Sequence, residues 1–241
     1  MNTATTLQQL QGLRLAGMAK RYQTLLSLPT HQQEDAHTIL ALMCQAEQEY
    51  RRDKQTERLL KAGKLRYRAN MEEIICNPER GITKETLLQL AEGHYLEKGQ
   101  NLLIQGQTGT GKSFLACALG RSACLMGYKT LYLSMNKFLE TIAQSRIDGT
   151  YLKLIKQLTA KKLIILDDFG LKPLSGDAKL TLLDLLEDRY GIGSVIITSQ
   201  LPFDHFYAFL DQPTLAEAIL DRLSAAAHKI ELKGESLRKR K

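Results

Sequence analysis

The sequence predicts an α/β protein. A parallel five-stranded sheet with helices on both faces occupies residues 69–241, preceded by a small all-helical region over residues 1–68. Three observations carry this expectation. From Asn101 onward, short apolar segments alternate with helix-length amphipathic ones, the pattern of strands joined by crossover helices. A glycine-rich run, residues 106–113, stands between the first such strand and the first such helix. Ahead of them, roughly 65 residues show only the three-to-four spacing of helices.

The N-terminal region comes first. Leu7, Leu10, Leu13 and Gly17, then Tyr22, Leu25 and Leu26, recur at helical spacing. Pro29 ends that stretch, because it lacks an amide hydrogen and clashes with the preceding turn. A second helix begins near Ala36, with Ile39, Leu40, Met43, Ala46 and Tyr50 on its apolar side, and Gly63 stops it. Residues 51–68 are the densest basic stretch of the chain; Arg51, Arg52, Lys54, Arg58, Lys61, Lys64, Arg66 and Arg68 stand there against only Asp53 and Glu57 as acids. Asn77-Pro78 and Gly81 mark a turn before a short helix over 83–92.

The sheet follows. Strands are expected over 102–104, 129–133, 163–166, 195–198 and 229–232. The third is wholly apolar, as a strand covered on both faces should be. Helices are expected over 114–126, with Gly127 as its stop, over 138–158, and from Ser175 or Asp177 to Tyr190. Thr214-Leu215-Ala216-Glu217 reads as a capping box that opens a further helix.

The net charge is +7, and it is carried by the two ends. Residues 1–68 hold 11 Lys/Arg against 6 Asp/Glu, and residues 233–241 hold 5 against 1. Basic ends around a near-neutral middle fit contact with a polyanion, or a solvated basic surface. Cys44, Cys76, Cys117 and Cys124 show no paired metal-ligand spacing and read as reduced structural thiols; Cys117 and Cys124 share a helix face. No apolar run approaches the ~18 residues of a membrane span. Met1-Asn2-Thr3-Ala4 lacks the charged and apolar regions of a secretory signal, so a cytoplasmic protein with no membrane contact is expected.

Residues 106–113 read Gly-Gln-Thr-Gly-Thr-Gly-Lys-Ser and fit G-x-x-x-x-G-K-[ST]. Gly106, Gly109 and Gly111 let the backbone turn tightly and aim successive N–H groups at phosphate oxygens. The helix starting at Lys112 adds its positive N-terminal dipole. Lys112 reaches the β- and γ-phosphates, and the Ser113 hydroxyl ligates Mg²⁺. The candidate ATP contacts are thus Gly106, Gln107, Thr108, Gly109, Thr110, Gly111, Lys112, Ser113 and Phe114. Asp167 and Asp168 close the third strand. Asp167 is placed to hold Mg²⁺ and Asp168 to polarise an attacking water, which together point to hydrolysis of a nucleoside triphosphate.

Several further motifs resemble the IstB-like ATPases. They are Leu166-Asp167-Asp168-Phe169-Gly170, Glu187-Asp188-Arg189-Tyr190-Gly191, Ile197-Thr198-Ser199-Gln200-Leu201-Pro202, Ala218-Ile219-Leu220-Asp221-Arg222-Leu223 and the ending from Leu232 through Lys239. That family consists of helper proteins encoded beside the transposase in one class of bacterial insertion sequence. It belongs with the DnaC helicase loaders and DnaA initiators in the initiator group of AAA+ P-loop ATPases. The resemblance covers nearly the whole chain and implies an AAA+ core with little or no C-terminal lid.

It also implies roles. Ser199 or Gln200 would be the polar sensor of the γ-phosphate. Arg222 would be an arginine finger acting in trans, hence a homo-oligomer; its alternative is a surface ion pair with Asp221 or Glu217. Arg238 lies near the position of a second sensor. Asp168 stands where many relatives have a glutamate one methylene longer, which implies slow hydrolysis. Residues 134–162 match the extra helix that lines the DNA path in the initiator group. There Lys137, Arg146, Lys153 and Lys156, with Arg51, Arg52 and Arg58 of the N-terminal region, would contact duplex DNA through its phosphates; an exposed amphipathic helix is the alternative. The implied function is an ATP-dependent transposition helper that oligomerises on duplex DNA and recruits or activates a cognate transposase. A DnaC-like replicative helicase loader, or an ATP-gated DNA-binding protein with negligible turnover, are the alternatives.

Overall fold

The computed structural model describes residues 2–28 and 35–237. They form two compact units, Met1–Arg58 and Leu59–Lys241. Among the described residues no helix is long and apolar enough to cross a membrane.

The first unit holds α1 (Thr3–Gly12), α2 (Ala16–Leu26) and most of α3 (Ala36–Gly63). The continuous helix expected over Leu7 to Leu26 is broken. Arg14 takes a left-handed backbone (φ 59°), and the Leu15 amide turns back to donate to the Leu10 carbonyl at 2.9 Å. The first amides of α2 need a partner, and Glu47 of α3 supplies one. Its carboxylate accepts from Gly17 N at 2.7 Å and Met18 N at 3.2 Å. Burial alone would raise the Glu47 pKa, but Arg51 and these amides together hold it below the usual value. Pro29, expected to end α2, lies outside the described residues.

In the second unit, residues following α3 lead to α4 (Lys84–Ala91) and the short α5 (His94–Glu97). Then come β1 (Leu102–Gly106), α6 (Lys112–Leu125), β2 (Thr130–Ser134), α7 (Met135–Ile147), α8 (Tyr151–Thr159) and β3 (Leu163–Phe169). The chain continues with α9 (Gly176–Arg189), β4 (Ser194–Ser199), α10 (Phe206–Leu210), α11 (Pro213–Ser224) and β5 (His228–Leu232). All five strands are parallel, in the order β2-β3-β4-β1-β5. Parallel strands send all their C-terminal ends to one edge. Because β4 lies between β1 and β3, its last residues stand between the loop after β1 and the acids of β3.

Alternate strand residues enter opposite faces. Ile104, Ile165 and Ile196 pack with Leu115 and Leu119 of α6 on one side. Leu103, Ile164 and Ile197 pack with Phe138, Leu182 and Phe206 on the other. Cys117 and Cys124 are both buried on α6.

Two helices depart from expectation. The single helix expected over 138–158 is a pair, α7 and α8. Gly149 takes φ 66° and the Thr150 amide folds back onto the Ser145 carbonyl at 2.8 Å, which ends α7 in a left-handed turn. The helix expected to open with a capping box at Thr214 opens instead at Pro213, whose fixed φ suits the first helical position and whose missing amide costs nothing there.

Arg189 explains part of the Glu187–Gly191 motif. It is fully buried and donates to four backbone carbonyls: Leu158 at 3.1 Å, Lys161 at 2.5 Å, Lys162 at 3.1 Å and Ser194 at 2.8 Å. Burial pushes its pKa down to about 10, so it stays charged at neutral pH. It ties the end of α8 to the starts of β3 and β4.

Candidate nucleotide-binding site

The loop after β1 is built as the motif requires. Gly106, Gly109 and Gly111 take φ of 151°, 86° and 99°, a region L side chains avoid. A Cβ at Gly109 would also lie 2.1 Å from the Ser236 hydroxyl. Gly111 is the N-cap of α6, so the loop amides and the helix dipole converge. Lys112 is buried, and its ammonium donates to the carbonyls of Gly106 at 2.8 Å and Gln107 at 2.9 Å. The lysine is thereby held against the loop it serves.

Asp167 is 0% exposed and caged. It accepts from Ser113 Oγ at 2.8 Å, from the Tyr132 hydroxyl at 2.5 Å and from the Thr198 hydroxyl. Burial first, and then Asp167, push the Tyr132 pKa far above its ordinary value, so Tyr132 remains a donor. The Thr198 hydroxyl in turn accepts from Asp168 N at 3.1 Å. One threonine of β4 thus fixes both acids. Asp168 sits on a bulge: the pairing of β3 with β4 slips between Leu166 and Phe169, and Asp168 takes φ 64°. Such a backbone costs an aspartate about 1 kcal/mol or more. The bulge directs Asp168 into the cavity beside the loop.

A hydroxyl and a carboxylate in contact, both hard oxygen donors, suit Mg²⁺, which binds through one or two carboxylates plus substrate phosphates and keeps its remaining waters. Among the described residues there is no cluster of three or more His, Cys, Asp or Glu that would make a protein-only cage. The residues fit a metal that arrives with a nucleotide.

A cavity of about 440 Å³ adjoins the loop. Thr108 to Phe114 form one side; Tyr67, Ile74, Ile82, Leu232 and Leu237 form an apolar side. The flanking segments are lashed to the loop. Arg80 donates to the Thr110 carbonyl at 2.9 Å, and the Leu237 amide donates to the Gly109 carbonyl at 2.9 Å. Ser199 is buried and spends its hydroxyl on the Phe169 carbonyl (2.8 Å) and the Leu201 amide (2.9 Å). Gln200 lines the cavity, and its Oε1 accepts from Thr108 Oγ1 at 2.7 Å. Arg238 lies outside the described residues.

Tyr132, Thr198, Arg80 and the apolar wall were missed by sequence reasoning. They come from separate parts of the chain, and only Thr198 had a signal, its place directly before Ser199 and Gln200.

Arg222 lies elsewhere. Its carbonyl accepts from Asn101 Nδ2, ahead of β1, and its guanidinium stacks on Tyr190, ahead of β4, at 5.5 Å. It pairs with Asp221 at 2.5 Å and Glu187 at 3.7 Å. These groups are at the N-terminal ends of the strands, whereas the loop and acids are at the C-terminal ends. A five-residue strand separates the two edges by about 16 Å.

The expected DNA contacts fall on three helices. Arg51 pairs with Glu47 at 2.7 Å but stays exposed, as are Arg52 and Arg58 on the same helix, α3. Lys137 of α7 pairs with Glu140 at 3.3 Å. Arg146 is tied inward, 3.7 Å from Asp177 and stacked on Tyr151 at 4.8 Å. Lys153 and Lys156 lie on the exposed side of α8, and Lys153 shares with Lys137 an open groove between α7 and α8.

The model of the family of IstB-like ATP binding proteins matches residues 8–241. The chain is similar to the insertion sequence ATP-binding protein y4pL of Sinorhizobium fredii, 41% identical over 97% of this chain and 96% of that protein. It is also similar to the IS1162 ATP-binding protein of Pseudomonas fluorescens, 39% identical over 84% of this chain and 88% of that one. In fold it is similar to a DnaC helicase loader, with a TM-score of 0.58 at 20% identity over 69% of this chain and 98% of that one. A replication initiator DnaA bound to AMPPCP and single-stranded DNA gives 0.57 at 20% identity, over 71% of this chain and 52% of that one. With an AAA+ α/β fold of the DnaC and DnaA kind and a family match over nearly its whole length, the chain belongs to the IstB-like ATP-binding proteins of insertion sequences.

Proposed function

We propose that this chain is an ATP-dependent helper of transposition whose nucleotide site is a joint between subunits. The observation that carries the proposal is the position of Arg222 at the sheet edge opposite the phosphate loop of its own chain. An arginine there cannot reach its own nucleotide, but it can present itself to the site of a neighbour. In this reading the loop and Lys112 hold the phosphates, and the apolar wall with Tyr67 receives the base. Ser113 and Asp167 hold Mg²⁺, which would neutralise phosphate charge. Asp168 polarises the attacking water and Gln200 contacts the γ-phosphate, since Ser199 is committed to the backbone. Hydrolysis then loosens the joint.

The assembled subunits hold duplex DNA through backbone phosphates, using Lys137, Lys153 and Lys156 and the exposed arginines of α3, and recruit or activate the transposase. The names of the relatives, insertion sequence ATP-binding proteins, support this over helicase loading. The test is fluorescence anisotropy of a duplex of arbitrary sequence. With a non-hydrolysable ATP analogue, binding is expected to appear, and to weaken by at least roughly a thousandfold between 50 and 200 mM salt if six or more phosphates are contacted. Binding that ignores nucleotide, or that is absent under all conditions, contradicts the proposal.

A further inference from the structure

Arg66 belongs to the basic stretch that composition assigns to a polyanion, yet its guanidinium is turned onto the acid pair. Its Nη1 lies 3.6 Å from Asp167 Oδ2 and 3.6 Å from Asp168 Oδ2. The Tyr132 hydroxyl, which donates to Asp167, also favours the charged form of the Arg66 guanidinium and raises its pKa. Its Cζ stands 5.3 Å from the centroid of the Tyr67 ring, which tilts against Phe114 in the first turn of α6 at 6.1 Å. The adjacent Tyr67 ring, packed against Phe114 of α6, flanks this arginine beside the two carboxylates of β3.

The electrostatics explain why. Asp167 is removed from water entirely, and a buried carboxylate is costly unless hydrogen-bonded and charge-compensated. The three hydroxyls supply hydrogen bonds but no charge; Arg66 supplies the charge. A divalent cation drawn to Ser113 and Asp167 would bring two further positive charges within a few ångströms of the guanidinium. Like charges that close repel at the effective dielectric of a protein. Arg66 is 45% exposed, so it has a route into solvent.

We propose that Arg66 is the resident counter-ion of the Asp167–Asp168 pair and that Mg²⁺ displaces it, so that Arg66 sets how much Mg²⁺ the site needs before it retains nucleotide. The proposal rests on the reading of Ser113 and Asp167 as metal donors. Arg66 is in this account a positioning residue that touches neither base nor phosphate. Its departure also frees residues 64–68, the segment directly after α3, from the acid pair.

The experiment titrates Mg²⁺ against a fixed concentration of a fluorescent, non-hydrolysable ATP analogue, read by anisotropy, for wild type, Arg66→Gln and Arg66→Lys. Loss of a half-exposed ion pair is expected to lower the half-saturating Mg²⁺ in Arg66→Gln by roughly two- to fivefold. Arg66→Lys, which keeps the charge but not the planar fork, falls between the two. Equal or greater Mg²⁺ demand in Arg66→Gln overturns the proposal. A second arm uses wild type alone: trypsin is expected to cut after Lys64, Arg66 and Arg68 faster with Mg²⁺ and the analogue than with the analogue and EDTA. Unchanged or slower cutting overturns the displacement. If wild type binds no analogue at any Mg²⁺ concentration, the nucleotide-site reading itself falls, and this inference with it.

Discussion

Replacing Lys112 by Ala is expected to weaken ATP binding by roughly thirty- to several-thousandfold. The estimate follows from truncating one partner of a buried, charge-assisted contact, which costs about 2–5 kcal/mol. Lys112 is buried at the N-terminus of α6, and its ammonium sits over the loop on the carbonyls of Gly106 and Gln107. No other lysine lines the cavity among the described residues. The substitution removes that positive charge from the site and leaves two carbonyls without their donor, so a small loss of thermal stability should accompany the loss of affinity. Isothermal titration with ATP and Mg²⁺ measures the first, and a melting curve without nucleotide measures the second. Affinity within a few-fold of wild type would show that the loop amides alone hold the phosphates.

Asp168→Asn is expected to slow hydrolysis by roughly a hundred- to ten-thousandfold, the usual contribution of a positioned general base, while ATP affinity is retained. The variant is well chosen for this backbone. Asn tolerates the left-handed conformation that Asp168 adopts (φ 64°), and it keeps the amide that donates to Thr198. The bulge should therefore survive and the chemistry should not. Phosphate release under saturating ATP, paired with analogue binding, separates the two. Turnover at the wild-type rate would remove Asp168 from the mechanism and leave water activation to another group.

What could be read from the sequence divides along a physical line. The phosphate loop was legible because its function resides in contiguous backbone, and contiguous backbone leaves a contiguous motif. The inner strands β1, β3 and β4 were legible because both faces are covered, which makes their runs apolar; the edge strand β5 buries only Ile230 and Leu232. Asp167 and Asp168 were legible as acids at the end of such a run. Their environment was not. Tyr132 comes from β2, Thr198 from β4 and Arg66 from the segment after α3, and only the order β2-β3-β4-β1-β5 brings these together. Nothing local to any of the three announces a partner thirty or a hundred residues away. Arg66 is the clearest case, since a run of basic residues reads as a solvated or polyanion-binding face whichever way one member turns. Nor did the sequence show that the Ser199 hydroxyl donates to the Phe169 carbonyl while Gln200 lines the cavity. The breaks at Arg14 and Gly149 escaped periodicity because apolar spacing continues across them.

The central claim is that the nucleotide site is completed between subunits, and mixing two defective variants tests it most directly. Arg222→Ala keeps the loop and acids but offers no finger; Lys112→Ala keeps Arg222 but holds no ATP. Each alone is expected to hydrolyse little ATP in the presence of duplex DNA. Mixed, they are expected to regain hydrolysis, because the Lys112→Ala subunit lends its Arg222 to ATP bound by its Arg222→Ala neighbour. A mixture no more active than its components, or an Arg222→Ala protein as active as wild type, would contradict the account.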